Sequence, residues 1–79
     1  MNELYRKALL LEQQGDWDQA HRIVQEINTR DAARIHAFLH RVEGDLGNAS
    51  YWYRRASESP FQGSLQEERE YLAKRFNIK

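Results

Sequence analysis

Two histidines and a glutamate at helical spacing are the residues of this chain best suited to chemistry. His36 and His40 are four residues apart, and Glu43 follows three residues later. On a helix these intervals place all three side chains on one side, where two imidazoles and a carboxylate could hold a divalent metal ion. The zinc-protease pattern needs a glutamate directly after the first histidine to activate water, and Ala37 occupies that position. Metal binding or acid–base catalysis at this trio is therefore an alternative function.

The competing interpretation of the same residues is structural. Buried polar side chains are normally hydrogen-bonded, so His36 and His40 could belong to a core network completed by Glu43, by the Tyr53 hydroxyl or by the backbone. This interpretation predicts no catalytic residue, no enzyme activity and no cofactor, and we take it as the leading one.

Composition and charge disfavour several other classes of protein. The chain has 12 Lys plus Arg, 12 Asp plus Glu and no cysteine. A net charge of zero gives no electrostatic footprint for nucleic acid or a membrane, and without thiols a metal site must use histidine and carboxylate. Residues 51–55 combine three aromatic side chains with two arginines, but on a helix they point in different directions and favour a core or an interface. The N-terminus lacks the apolar core of a signal peptide, so we expect a cytoplasmic protein.

Glycine, aspartate and serine divide the chain into about five helices, and the predicted fold class is all-α. The pairs Gly15–Asp16 and Gly44–Asp45 each end one helix and cap the next. Asp31 is predicted to cap a helix over residues 32–43, and Ser64 heads a capping box. We expect one domain over residues 1–79, with a first hairpin at about 3–28, a second at about 31–58 and a C-terminal helix at about 64–76.

The hairpin pattern occurs twice, at a constant offset that superimposes Gly15 on Gly44 and Ala20 on Ala49. At these residues the chain resembles the tetratricopeptide repeat, although the offset of 29 is shorter than that family's usual ~34 residues. The matching residues are Gly15, Trp17, Ala20 and Val24 in the first copy and Gly44, Ala49, Tyr53, Ala56 and Pro60 in the second. Residues 36–56 also resemble a segment of small uncharacterised helical proteins, which implies no activity.

The tetratricopeptide resemblance implies two hairpins in a right-handed stack, a C-terminal capping helix and a protein-interaction role. It places the candidate partner-binding residues on the inner face of the first helix of each hairpin, namely Tyr5, Leu9, Glu12, Arg34, Phe38 and Arg41. Arg34 and Arg41 are two helical turns apart and could together grip a carboxylate or a phosphate. We expect a protein or peptide partner, and a homodimer is a further possibility because two repeats leave apolar ends exposed.

Overall fold

The computed structural model describes residues 2–78, which contain five α-helices and no β-strand. The predicted all-α class with about five helices is confirmed. Met1 and Lys79, the ends of the predicted domain, lie outside the described residues. No helix within residues 2–78 is both long enough and apolar enough to cross a bilayer. The helices are α1 (Asn2–Gln13), α2 (Trp17–Gln25), α3 (Arg30–Glu43), α4 (Leu46–Arg55) and α5 (Leu65–Arg75).

Two tight connections turn the first four helices into two hairpins. Gly15 and Gly44 both have φ of 87°, the left-handed conformation that glycine adopts at little steric cost. In the first hairpin the Asp16 carboxylate accepts a hydrogen bond from a backbone N–H of the following helix, and Asp45 does the same in the second. Because each connection is so short, α1 packs antiparallel to α2 and α3 packs antiparallel to α4.

The start of α3 differs from the prediction. The N-cap is Thr29, whose hydroxyl accepts a hydrogen bond from the Ala32 N–H at 3.1 Å, so the helix begins at Arg30 instead of residue 32. The same hydroxyl is 2.5 Å from the Tyr5 hydroxyl of α1. Asp31 lies inside the helix, where it forms an ion pair with Arg75 at 3.1 Å. Tertiary contacts therefore select Thr29 over Asp31 as the cap.

The core includes a buried alanine on the second helix of each hairpin, where that helix packs against the first. Ala20 is fully buried and Ala49 is 3% exposed. Alanine at such points lets helix backbones approach closely, which is how α2 packs against both α1 and α3.

The final helix does not extend the stack beyond α4 but lies across α1 and α3. Ser64 forms the predicted capping box with Glu67 at its start. Leu72 is fully buried, and the Phe76 ring meets the Tyr5 ring edge-on with centroids 5.4 Å apart. The helix thus covers the face that the first helices of the two hairpins share.

Candidate functional site

All three histidines of the chain come together at one place between the hairpins. His21 comes from α2, and His36 and His40 come from α3. One ring nitrogen from each lies within 4.8 Å of the other two. The i, i+4 spacing on α3 stacks the His36 and His40 rings with centroids 4.8 Å apart, and the packing of α2 on α3 brings His21 against them. The arrangement gathers three imidazole nitrogens within 4.8 Å of one another.

Hydrogen bonds orient the three rings. The Nε2 atoms of His21 and His36 are 3.0 Å apart, so one carries the shared proton and the other accepts it. The third ring, that of His40, is held by Glu43: the His40 Nδ1–H donates to Glu43 Oε1 at 2.6 Å. That bond places a proton of His40 on Nδ1, so Nε2 is the nitrogen that faces away from Glu43.

Two tryptophans enclose the cluster. The Trp17 ring stacks on His21 with centroids 4.8 Å apart, and its indole N–H donates to the Leu39 carbonyl at 2.6 Å. Trp52 stacks on His36 from α4, with centroids 3.8 Å apart. His36 and His40 are buried and His21 is half-buried. The cluster is therefore a largely dry site with one partly open side.

Burial favours the neutral form of two of the three imidazoles, His36 and His21. Desolvation, together with repulsion from a positive charge on His21 or His40, lowers the pKa of His36 to about 3. Burial and His40 also lower the pKa of His21. The neutral form of imidazole is the one that binds a metal ion, through the ring nitrogen that carries no proton.

The structure separates the predicted trio into two neighbouring groups. His36 and His40 lie ring to ring, whereas Glu43 lies beside His40 and forms a second group with it and Asp45. Tyr53 is not the partner of these histidines, because its hydroxyl donates to Glu68 at 2.5 Å. Sequence reasoning gave no role to His21. Its position one helical turn after Trp17, beside the buried residues of α2, was the signal that could have found it.

The predicted partner-binding face is occupied by α5. Tyr5, Leu9, Glu12, Arg34 and Phe38 are buried and Arg41 is half-buried. Arg34 and Arg41 do grip a carboxylate, that of Glu68 in α5, each at 2.8 Å. The Arg34 contact is an ion pair without an aligned hydrogen bond. Glu12 pairs with Arg69 at 2.7 Å, so a separate partner would have to displace α5 to reach this face.

An apolar groove of about 410 Å³ remains open on α1, lined by Leu10, Leu11 and the polar side chains around them.

Comparisons of the chain with protein-family models, with curated proteins and with solved structures gave no match. The geometry of residues 2–78 is therefore the basis for assigning a function.

Proposed function

We propose that this protein binds a divalent transition-metal ion, with Zn²⁺ as the reference case, through His21, His36 and His40. The observation that carries the proposal is the pair of Nε2 atoms aimed at each other across 3.0 Å, with a nitrogen of the third imidazole nearby. Imidazole suits zinc, copper and nickel, and three histidines with an open fourth position are a known zinc arrangement.

The distance between two of the ligand atoms is close to the one that an ion requires. A tetrahedral ion with Zn–N bonds of about 2.0–2.1 Å holds its ligand nitrogens about 3.3 Å apart. The His21 and His36 Nε2 atoms, now 3.0 Å apart, would open slightly, and the proton between them would move to Nδ1 of the ring that carries it or to solvent. The His40 nitrogen lies within 4.8 Å of both, so the His40 ring would have to turn toward them.

Outer contacts support the same assignment. Ligating histidines usually donate their other ring N–H to a carboxylate, which fixes the tautomer and raises the basicity of the ligand. His40 does this with Glu43. Trp17 and Trp52 hold the other two rings, those of His21 and His36, in place by stacking.

The ion would link the two hairpins, since one ligand belongs to α2 and two belong to α3. The bound metal would stabilise the contact between the hairpins and would take part in no catalytic step.

Equilibrium dialysis of the tag-free protein against Zn²⁺ at pH 7.5 tests the proposal. We expect one equivalent bound, and His21→Gln should weaken binding by more than about 100-fold, because even the outer partners of a ligand typically contribute 10–100-fold. His21 is the least buried ligand, so the variant should fold, which circular dichroism checks. Arg22→Gln, exposed on the same helix, is the matched control and should bind like the wild type. Zn²⁺ bound below one equivalent in the wild type, or equally well in His21→Gln, overturns the proposal.

We also propose that the chain is a protein-interaction module whose partner is a second copy of itself. Two repeats are fewer than the ~3 that a stable helical stack normally needs. The open groove on α1 is accompanied by two exposed apolar side chains, Leu4 at 42% and Leu10 at 41%. Burying these leucines against a second copy would cover the exposed end of the stack. Sedimentation velocity measures whether the protein forms such a dimer.

A further inference from the structure

Within the described chain, the last helix is joined to the other four by one segment without helix. Residues 56–64 connect α4 to α5, and most of their side chains are exposed. Nine residues in an extended conformation reach about 30 Å. The longest extent of the molecule is 26 Å. The segment is therefore long enough to carry α5 away from its own hairpins and onto those of a neighbouring copy.

Charged pairs make up much of the attachment of α5 to the hairpins. Only two residues of the helix are buried, Glu68 and Leu72, and Phe76 follows directly after it. The ion pairs that join α5 to α1 and α3 are Glu68 with Arg34 and Arg41, Arg69 with Glu12, and Arg75 with Asp31. Segments with few buried apolar residues open before the whole molecule unfolds. We therefore expect α5 to separate from the hairpins more readily than they separate from each other.

The face beneath α5 requires a helix that brings both a carboxylate and apolar side chains. Arg34 is only 2% exposed, and its charge meets two carboxylates, Glu68 of α5 and Glu58 of the connecting segment. Loss of Glu68 without a replacement would leave this buried charge poorly compensated, which is strongly unfavourable. Leu72 and Phe76 belong to the same core cluster as residues of α1 and α3. A second copy of this chain carries a helix that meets both requirements.

We propose that α5 exchanges between two copies of this chain, so that the inner face of each copy binds the α5 of the other. The exchange keeps the contacts that α5 makes within one copy and loses only the proximity that the connecting segment provides. For a short flexible connection that proximity corresponds to roughly millimolar concentration, so the unchanged chain exchanges α5 near that concentration. The exchange uses the inner face and is separate from the groove on the outer face of α1.

The ion pair between Glu12 and Arg69 allows a direct test. The Arg69 guanidinium donates two hydrogen bonds to the Glu12 carboxylate, at 2.9 and 2.7 Å. In Glu12→Arg, and separately in Arg69→Glu, positions 12 and 69 of one chain carry like charges and repel each other. When these two variants exchange α5, position 12 of each copy meets an opposite charge at position 69 of the other. Exchange between the two variants therefore removes both repulsions.

Sedimentation velocity of the equimolar mixture at micromolar concentration measures the effect. Both variants also carry Leu10→Glu, which prevents dimers that use the groove on α1, and they are refolded together from urea so that chains destabilised alone can pair. We expect a 1:1 heterodimer that binds roughly 100-fold more tightly than the exchanged wild-type dimer, because each of the two restored pairs contributes about tenfold.

Two controls use the same substitutions, again with Leu10→Glu. The double variant Glu12→Arg/Arg69→Glu reverses the pair within one chain, and it should fold and stay monomeric. Glu12→Arg mixed with a chain that keeps both native residues should form no heterodimer, because exchange then leaves one repulsion in place.

A heterodimer in the complementary mixture alone supports the exchange of α5. The proposal is overturned if the double variant folds but the complementary mixture stays monomeric, or if the second control mixture dimerises equally well. Neither result depends on bound metal or on the groove on α1, so the proposed functions are tested separately.

Discussion

At the scale of single residues, His36 shows how burial favours the neutral form of an ordinary ionisable group. An imidazole in water gains a proton near pH 6.5, but His36 is only 4% exposed, and a charge there would lose most of its hydration. The neighbouring His21 and His40 lower the pKa of His36 as well, because a positive charge on either ring repels a proton on His36. Because the folded chain disfavours a proton on His36, we expect the fold to become less stable in mild acid.

We therefore predict that the free energy of unfolding decreases as the pH falls from about 6.5 to 5. In this window the unfolded chain binds protons at His36 that the folded chain, with a pKa of about 3, does not bind. Stability is thus greatest above the unfolded pKa and decreases below it, by up to about 1.4 kcal/mol per pH unit for one such group. His21, whose pKa is also lowered, adds to the slope. Urea denaturation at several pH values measures it.

The control for this prediction is His36→Gln, which removes the main titrating group. Its stability should change less with pH over the same window, even if the variant is less stable throughout. Wild-type stability that is constant between pH 7.5 and 5 would contradict the assignment of His36 as a buried neutral imidazole.

At the scale of helices, α5 is held in place by a buried charge. Glu68 is completely buried and meets Arg34 and Arg41 of α3 and the Tyr53 hydroxyl of α4. Burial and the nearby Glu68 raise the pKa of Tyr53 to about 12, so its hydroxyl keeps the proton that it donates. One carboxylate thus connects three helices, and its loss would leave the Arg34 charge, itself only 2% exposed, with less compensation.

Glu68→Gln should lower the free energy of unfolding by roughly 3 kcal/mol, because breaking a buried ion pair leaves its partner charge uncompensated. Glutamine keeps the volume, so the loss reports on charge and not on a cavity. Glu70→Gln, exposed on the same helix, is the control and should change stability by less than about 0.5 kcal/mol. Urea denaturation compares the variants, and equal stability of Glu68→Gln and the wild type would show that the pair does not hold α5.

At the scale of the whole molecule, the two faces of α1 differ in what covers them. Its inner side is covered by α5, through Tyr5 against Phe76 and Glu12 against Arg69. Its outer side keeps an open apolar groove lined by Leu10 and Leu11. The chain's own final helix thus covers the inner face, and the groove on the outer face is where the proposed second copy would bind.

Sedimentation velocity at micromolar concentration should therefore show a dimer. Leu10→Glu places a charge in the groove and should shift the protein to monomer. Leu46→Glu changes a leucine that is more exposed, at 65%, and lies on α4 away from the groove, so it should leave the dimer intact. A clean wild-type monomer with a high melting temperature would remove the proposal of self-association.

The sequence by itself determined the elements that depend on local chemistry. Gly15 and Gly44 end helices because they adopt a left-handed backbone, and Ser64 starts one through a capping box with Glu67. These interactions join residues a few positions apart, so their spacing is visible in the chain.

Only the tertiary structure decided which distant residues meet. His21 lies 15 residues from His36, and Arg69 lies 57 residues from Glu12. Helical periodicity places a side chain on a face but does not say which other helix that face will meet, because the meeting depends on how whole helices pack. For that reason, helix packing decided that His21 joins His36 and His40. It also decided that α5 fills the inner face of the two hairpins.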